Sequence, residues 1–180
     1  MKKLHLLALA ISTVLCVPLA AQASDGTITF KGLLNTSTCT VTAPATGSFL
    51  VTLPTLPAST LSANGKTAGD TGFSITVAGC AAGTSSFTPF FESGATTDAA
   101  SGRLNLTVAS TATNVQLQLL NFDSTPINVA NAAASQGVIP TAFISGATTA
   151  TGRYIVRYYA TGAAGAGSVN SSLTYSMTYI

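Results

Sequence analysis

At 180 residues, 47% hydrophobic and 7% charged, the chain is too apolar and too weakly charged to stay disordered, and it is long enough to bury a real core. The formal charge of +2 comes from Lys2 and Lys3; beyond them Lys31, Lys66, Arg103, Arg153 and Arg157 balance Asp25, Asp70, Glu92, Asp98 and Asp123, which leaves no basic face for a nucleic acid. The one histidine, His5, lies at the extreme start, so the remainder has no imidazole for a triad, a general base or a histidine metal site.

Residues 1–23 read as a cleaved secretory signal: a basic "MKK", an apolar "LHLLALAISTVLCVPLA", and "AQA" with small residues Ala21 and Ala23 ahead of a cut before Ser24. The apolar run is short for a spanning helix, so no membrane insertion is expected once it is removed. Cys16 follows Leu15 rather than a small residue and belongs to the apolar run, not to a lipid-acceptor site. The mature chain then covers residues 24–180, enough for one domain.

Strand signals follow in order. "GTITFKG" sets Ile28 and Phe30 against Thr27, Thr29 and Lys31, and "GLLNTSTCTV" carries β-branched residues around Cys39. "SFLVTL" puts Phe49, Val51 and Leu53 on one face. "PTLPASTLSANGKTAGDTG" reads as a loop region with a turn at Asn64 and Gly65. "GFSITVAGC", "SSFTPFF", "RLNLTV" and "NVQLQLLNF" continue the strand pattern, and "NVANAAASQGVIP" reads as a loop with room for one helical turn. "GRYIVRYYA" alternates Tyr154, Val156 and Tyr158 against Ile155, Arg157 and Tyr159. The closing "SLTYSMTYI" places Leu173, Tyr175, Met177 and Tyr179 on one face, with Ile180 at its end.

Short strands between turn signals predict an all-β, antiparallel sandwich. Cys39 and Cys80, in an exported chain, are most simply one disulfide; two free thiols or half of a metal site are the rivals. Closing a loop of that size is worth roughly 4 kcal/mol on the chain-entropy account. The last strand raises a problem. An apolar face on a strand with no successor leaves an edge open, and an open edge invites another chain to add a strand.

Together these features resemble the subunits of chaperone–usher fimbriae, the type 1 pilin family. The matching residues are "GTITFKG" after the cleavage site, Cys39, Cys80 closing "FSITVAGC", "GRYIVRYYAT", Gly167 as the fourteenth residue from the end, and penultimate Tyr179. The resemblance implies an incomplete immunoglobulin-like β-sandwich lacking its final strand, completed by a donor strand from another subunit. It also implies a division into residues 24–31 as the donor extension and residues 32–180 as the pilin domain. Ser24, Gly26, Ile28 and Phe30 would serve as donor residues. Gly167, Leu173, Tyr175, Met177, Tyr179 and Ile180 would form the acceptor groove and C-terminal motif. The partners implied are neighbouring subunits, a periplasmic chaperone and an outer-membrane usher, with a fimbria on the cell surface as the destination and no cofactor. Only fifteen residues separate the cleavage site from Cys39, where major rod subunits often carry a longer extension.

Two other functions compete. A self-contained lectin-like sandwich would use Asn121, Asp123 and Asn128 near Phe122, which read more simply as turn residues. An enzyme would need paired carboxylates such as Glu92 and Asp98, whose spacing in a loop fixes no geometry, or a serine with a base that the chain lacks.

Overall fold

The computed structural model describes residues 39–43 and 47–180. Its strands are β1 (Thr40–Ala43), β2 (Thr67–Ala78), β3 (Ser86–Glu92), β4 (Thr113–Asn121), β5 (Thr141–Ala142), β6 (Ala150–Gly165) and β7 (Thr174–Tyr179), with short 3-10 turns at Ala58–Leu61 and Ala133–Ser135. They form two antiparallel sheets, one ordered β1-β2-β6-β4 and the other β5-β3-β7. All of the described residues belong to one compact unit, Asn35–Ile180.

The pleat explains what lies between the sheets. β3 alternates buried Phe87, Pro89 and Phe91 with half-buried Thr88 and Phe90. β6 turns Tyr154 and Val156 inward, and β2 turns Ile75 and Val77 inward. Ile75, Phe91, Tyr154 and Val156 make one core cluster with Leu104, Leu117, Leu119, Ile127 and Val129, in which the Tyr154 ring meets Phe91 edge-on at 5.6 Å and Phe73 at 5.7 Å; Val77 and Phe87 pack with Cys80 in another. β4 is buried on both faces, because Asp98, Arg103 and Asn105 fold over its Gln116.

Several sequence expectations shift. The loop expected up to Gly72 ends earlier, and β2 begins at Thr67, passing a bulge between Ala68 and Thr71 where Gly69 takes φ +74°. "RLNLTV" is not a strand: Leu104 makes isolated bridges to Thr97 and Leu117, and Val108 is fully exposed. "SFLVTL" is not a strand either. Its residues alternate in exposure, but no ladder partner lies beside them among the described residues. "NVANAAASQGVIP" is a loop with a single 3-10 turn, as its composition suggests. "GTITFKG" lies outside the described residues.

Cys39 and Cys80 are bonded, with their Cα atoms 4.1 Å apart, in the position that β1–β2 pairing dictates: Thr40 faces Ala78 in the ladder. The subunit is therefore expected to show, by intact-mass spectrometry without reductant, a mass two hydrogens below the reduced chain; two thiols open to alkylation would contradict it.

The turn at Ala133–Ser135 delivers Gln136, 1% exposed, to the edge of β3. Its Oε1 accepts from Phe91 N–H at 3.1 Å, and its Nε2 donates to the carbonyls of Phe91 at 2.6 Å and Val129 at 3.2 Å. One amide thus replaces the strand that β5, pairing only at Ser86 and Phe87, does not supply. Gln136→Leu should cost about 3 kcal/mol in denaturant unfolding, because three buried backbone groups lose their partners.

Candidate functional site

β7 is an edge strand. On one side it pairs with β3, Phe87 opposite Tyr179 and Phe91 opposite Tyr175. Along its other side no strand pairs with it among the described residues. Its outward residues Thr174, Ser176 and Thr178 are exposed; its inward residues Leu173, Tyr175, Met177 and Tyr179 are only half-buried. Phe87 and Phe91 across the same ladder are fully buried. The strand therefore presents an apolar stripe that the fold leaves partly uncovered.

Beside that stripe runs a groove of about 540 Å³. One wall is residues 171–175 and Met177; the facing wall is Val41 and residues 47–51 with Leu53. Its base is apolar: Phe73, Phe91, Leu104, Leu117, Leu119 and Val156. Burial pushes the Tyr175 and Tyr179 phenols above their usual range, with Tyr175 adding to the shift at Tyr179. Among the described residues the walls carry no carboxylate, cysteine, lysine or arginine, and their apolar lining suits the binding of an extended apolar-faced chain.

A second cavity of about 380 Å³ lies between the continuations of the same two segments, Thr55–Ala58 side chains on one side and residues 164–169 on the other. Gly167 belongs here and not to the main groove. A Cβ on it would stand 2.3 Å from Ala112 N and 2.4 Å from the Thr111 carbonyl carbon. The close approach lets Ser168 O accept from the N–H groups of Thr111 at 3.0 Å and Ala112 at 3.1 Å. Ile180 is 71% exposed; its carbonyl accepts from Ser86 N–H at 3.1 Å, which extends the β3 ladder. Ser24, Gly26, Ile28 and Phe30 lie outside the described residues.

The rival sites are occupied by structural bonds. Glu92 accepts from Thr174 Oγ1 at 2.8 Å. Asp98 accepts from Gln116 at 2.6 Å and from Ala100 N–H at 2.9 Å, and these bonds, Gln116 foremost, hold its carboxyl below the usual range. Asn121 donates to Gly137 O and accepts from Ile139 N–H, while Asp123 and Asn128 cap their own turns. No cluster of three potential metal ligands occurs among the described residues, and no described helix is long and apolar enough to cross a membrane.

The sequence model of the family described as type-1 fimbrial protein, A (FimA) matches residues 53–180, which spans β2 through β7 and the β7 wall of the groove. The chain belongs to the type-1 fimbrial protein family. It is 43% identical over 165 residues to the major fimbrial subunit SMF-1 of Stenotrophomonas maltophilia, covering 90% of this chain and 96% of that one. It is 41% identical over 165 residues to the F17 fimbrial protein of Escherichia coli, covering 89% and 90%. Among solved structures, a subunit of a chaperone–usher pilus shares the fold, with a TM-score of 0.60 over 87% of this chain and 96% of that one at 14% identity. A Burkholderia pseudomallei type I fimbria protein superposes with a TM-score of 0.52 at 29% identity, covering 78% and 88%. The chain is thus a structural subunit of a surface fimbria, built as an incomplete immunoglobulin-like sandwich.

Sequence reasoning identified the β7 wall but not the facing one. The alternation in "SFLVTL" was the available signal, since it sets Phe49, Val51 and Leu53 on one face, and all three line the groove. Gly167→Ala should lower stability by about 2 kcal/mol or more, because the new methyl meets backbone that cannot yield. Thermal unfolding of the purified subunit checks it; an unchanged midpoint would show that residues 111–112 move freely.

Proposed function

We propose that the groove accepts an extended segment from a neighbouring copy, and that this segment is residues 24–31. A strand laid along the free edge of β7 would satisfy its unpaired backbone groups. Ile28 and Phe30 would project inward with Gly26, covering the half-buried stripe of Leu173, Tyr175 and Met177. Ser24, at the tip, would lie toward the end of the groove where exchange begins. Residues 1–23 act as the export signal and residues 32–180 as the acceptor domain. A periplasmic chaperone fills the groove before the neighbour does, and an outer-membrane usher carries the growing fibre, which serves attachment of the cell.

The observation that carries this reading is the groove itself: an apolar trough of about 540 Å³ flanking a strand edge with no partner among the described residues. Membership of a fimbrial family supports it, since a filament subunit needs a repeatable contact between copies. The reading is tested by fusing "SDGTITFKG" after Ile180 through a flexible linker and measuring thermal unfolding. A donor that binds only the folded form should raise the midpoint by about 10 °C or more. A fused donor carrying Ile28→Asp and Phe30→Asp should lose most of that gain. A subunit that is monomeric and equally stable with and without the fused strand would refute the assignment.

A further inference from the structure

The wall facing β7, residues 47–54, joins neither sheet. Side chains hold it instead. The Tyr158 hydroxyl donates to Pro54 O at 3.1 Å, and the Phe49 ring rests on Phe73 with centroids 5.8 Å apart. Both of these ties run to the sheet beneath, Tyr158 from β6 and Phe73 from β2.

The third tie runs elsewhere. The Tyr175 hydroxyl donates to Gly47 O at 2.7 Å. Tyr175 stands on β7 and Gly47 on the opposite wall, and both line the same groove. The bond therefore bridges the groove from side to side. A strand added to β7 would lie ~4.8 Å from it and send alternate side chains into the trough that the phenol crosses.

We propose that the Tyr175–Gly47 hydrogen bond is a latch: it draws residues 47–54 against β7 while the groove is empty, and an incoming strand enters by breaking it. This rests on the groove being the strand-acceptor site and adds how entry is controlled. The bond is suited to the task. It is a single neutral hydrogen bond, and Tyr175 is only half-buried, so opening costs little and the freed hydroxyl can turn to water. Gly47 takes φ +73°, a backbone state open to glycine, and this sets the direction of the wall beside the accepting carbonyl. The ties from Tyr158 and Phe73, with Val51 and Leu53 packed on the core, keep the wall attached to the sandwich when the latch opens.

The test is stopped-flow uptake of a fluorescein-labelled SDGTITFKG peptide by the purified subunit, compared with Tyr175→Phe and with Tyr159→Phe. The second variant removes a hydroxyl from β6 outside the groove lining. Uptake should be about fivefold faster in Tyr175→Phe and unchanged in Tyr159→Phe. Equal or slower uptake by Tyr175→Phe, with the peptide still binding, would overturn the latch and leave the groove reading standing. Failure of the peptide to bind any of the three would overturn both. Loss of the folded circular-dichroism signal in Tyr175→Phe would also overturn it, since a latch opens without unfolding the sandwich.

Discussion

The structure turns on an imbalance between the two sides of β7. Toward β3 the strand is fully paired, and the side chains behind that ladder are sealed from water. Away from β3 its backbone has no ladder partner among the described residues, and its inward side chains stop half-way to burial. Complete burial of a leucine, methionine or phenylalanine is worth about 1.5–3 kcal/mol. The shortfall along this one seam is therefore comparable to a sizeable share of a domain's net stability. The same seam that weakens the lone subunit is the one proposed to join it to its neighbour.

Elsewhere the fold manages with amides what other proteins do with charge. Gln136 completes β3, Gln116 joins Arg103, Asp98 and Asn105, and Gln118 accepts two bonds from Arg157. The Arg103 guanidinium then lies 3.8 Å above the Tyr159 ring. These contacts are neutral or singly charged, so salt screens them weakly. That suits a protein whose surroundings outside the cell are not under its control.

Much of this was legible beforehand, for physical reasons that differ by segment. β3, β4, β6 and β7 announce themselves by alternation because each has one face on the core. The cysteine pair was readable from export and number. The family resemblance drawn from Cys39, Cys80, Gly167 and Tyr179 agrees with the family match over residues 53–180. "RLNLTV" misleads because its period-2 pattern belongs to a loop in which only Leu104 reaches the core. The far end of β6 was invisible, since alanine and glycine carry no pattern, yet it extends the strand to Gly165 opposite Thr113. Gln136 was hidden for another reason: a glutamine in a polar loop gives no sign that its amide will be buried 45 positions away against Phe91. The groove's second wall escaped because a strand-like sequence with no ladder partner among the described residues looks, from inside the chain, like any other strand.

The position of the disulfide has a mechanical consequence. Cys39 stands at the head of β1, and its bond leads directly to Cys80, just past the end of β2 in the middle of the larger sheet. A pull on the chain ahead of Cys39 is handed at once to β2, which is laced to β6 over most of its length. The four residues of β1 and the loosely tied wall that follows are bypassed. Tension arriving from that direction must shear the longest ladder among the described strands, where many hydrogen bonds share the load, instead of peeling a short strand one bond at a time.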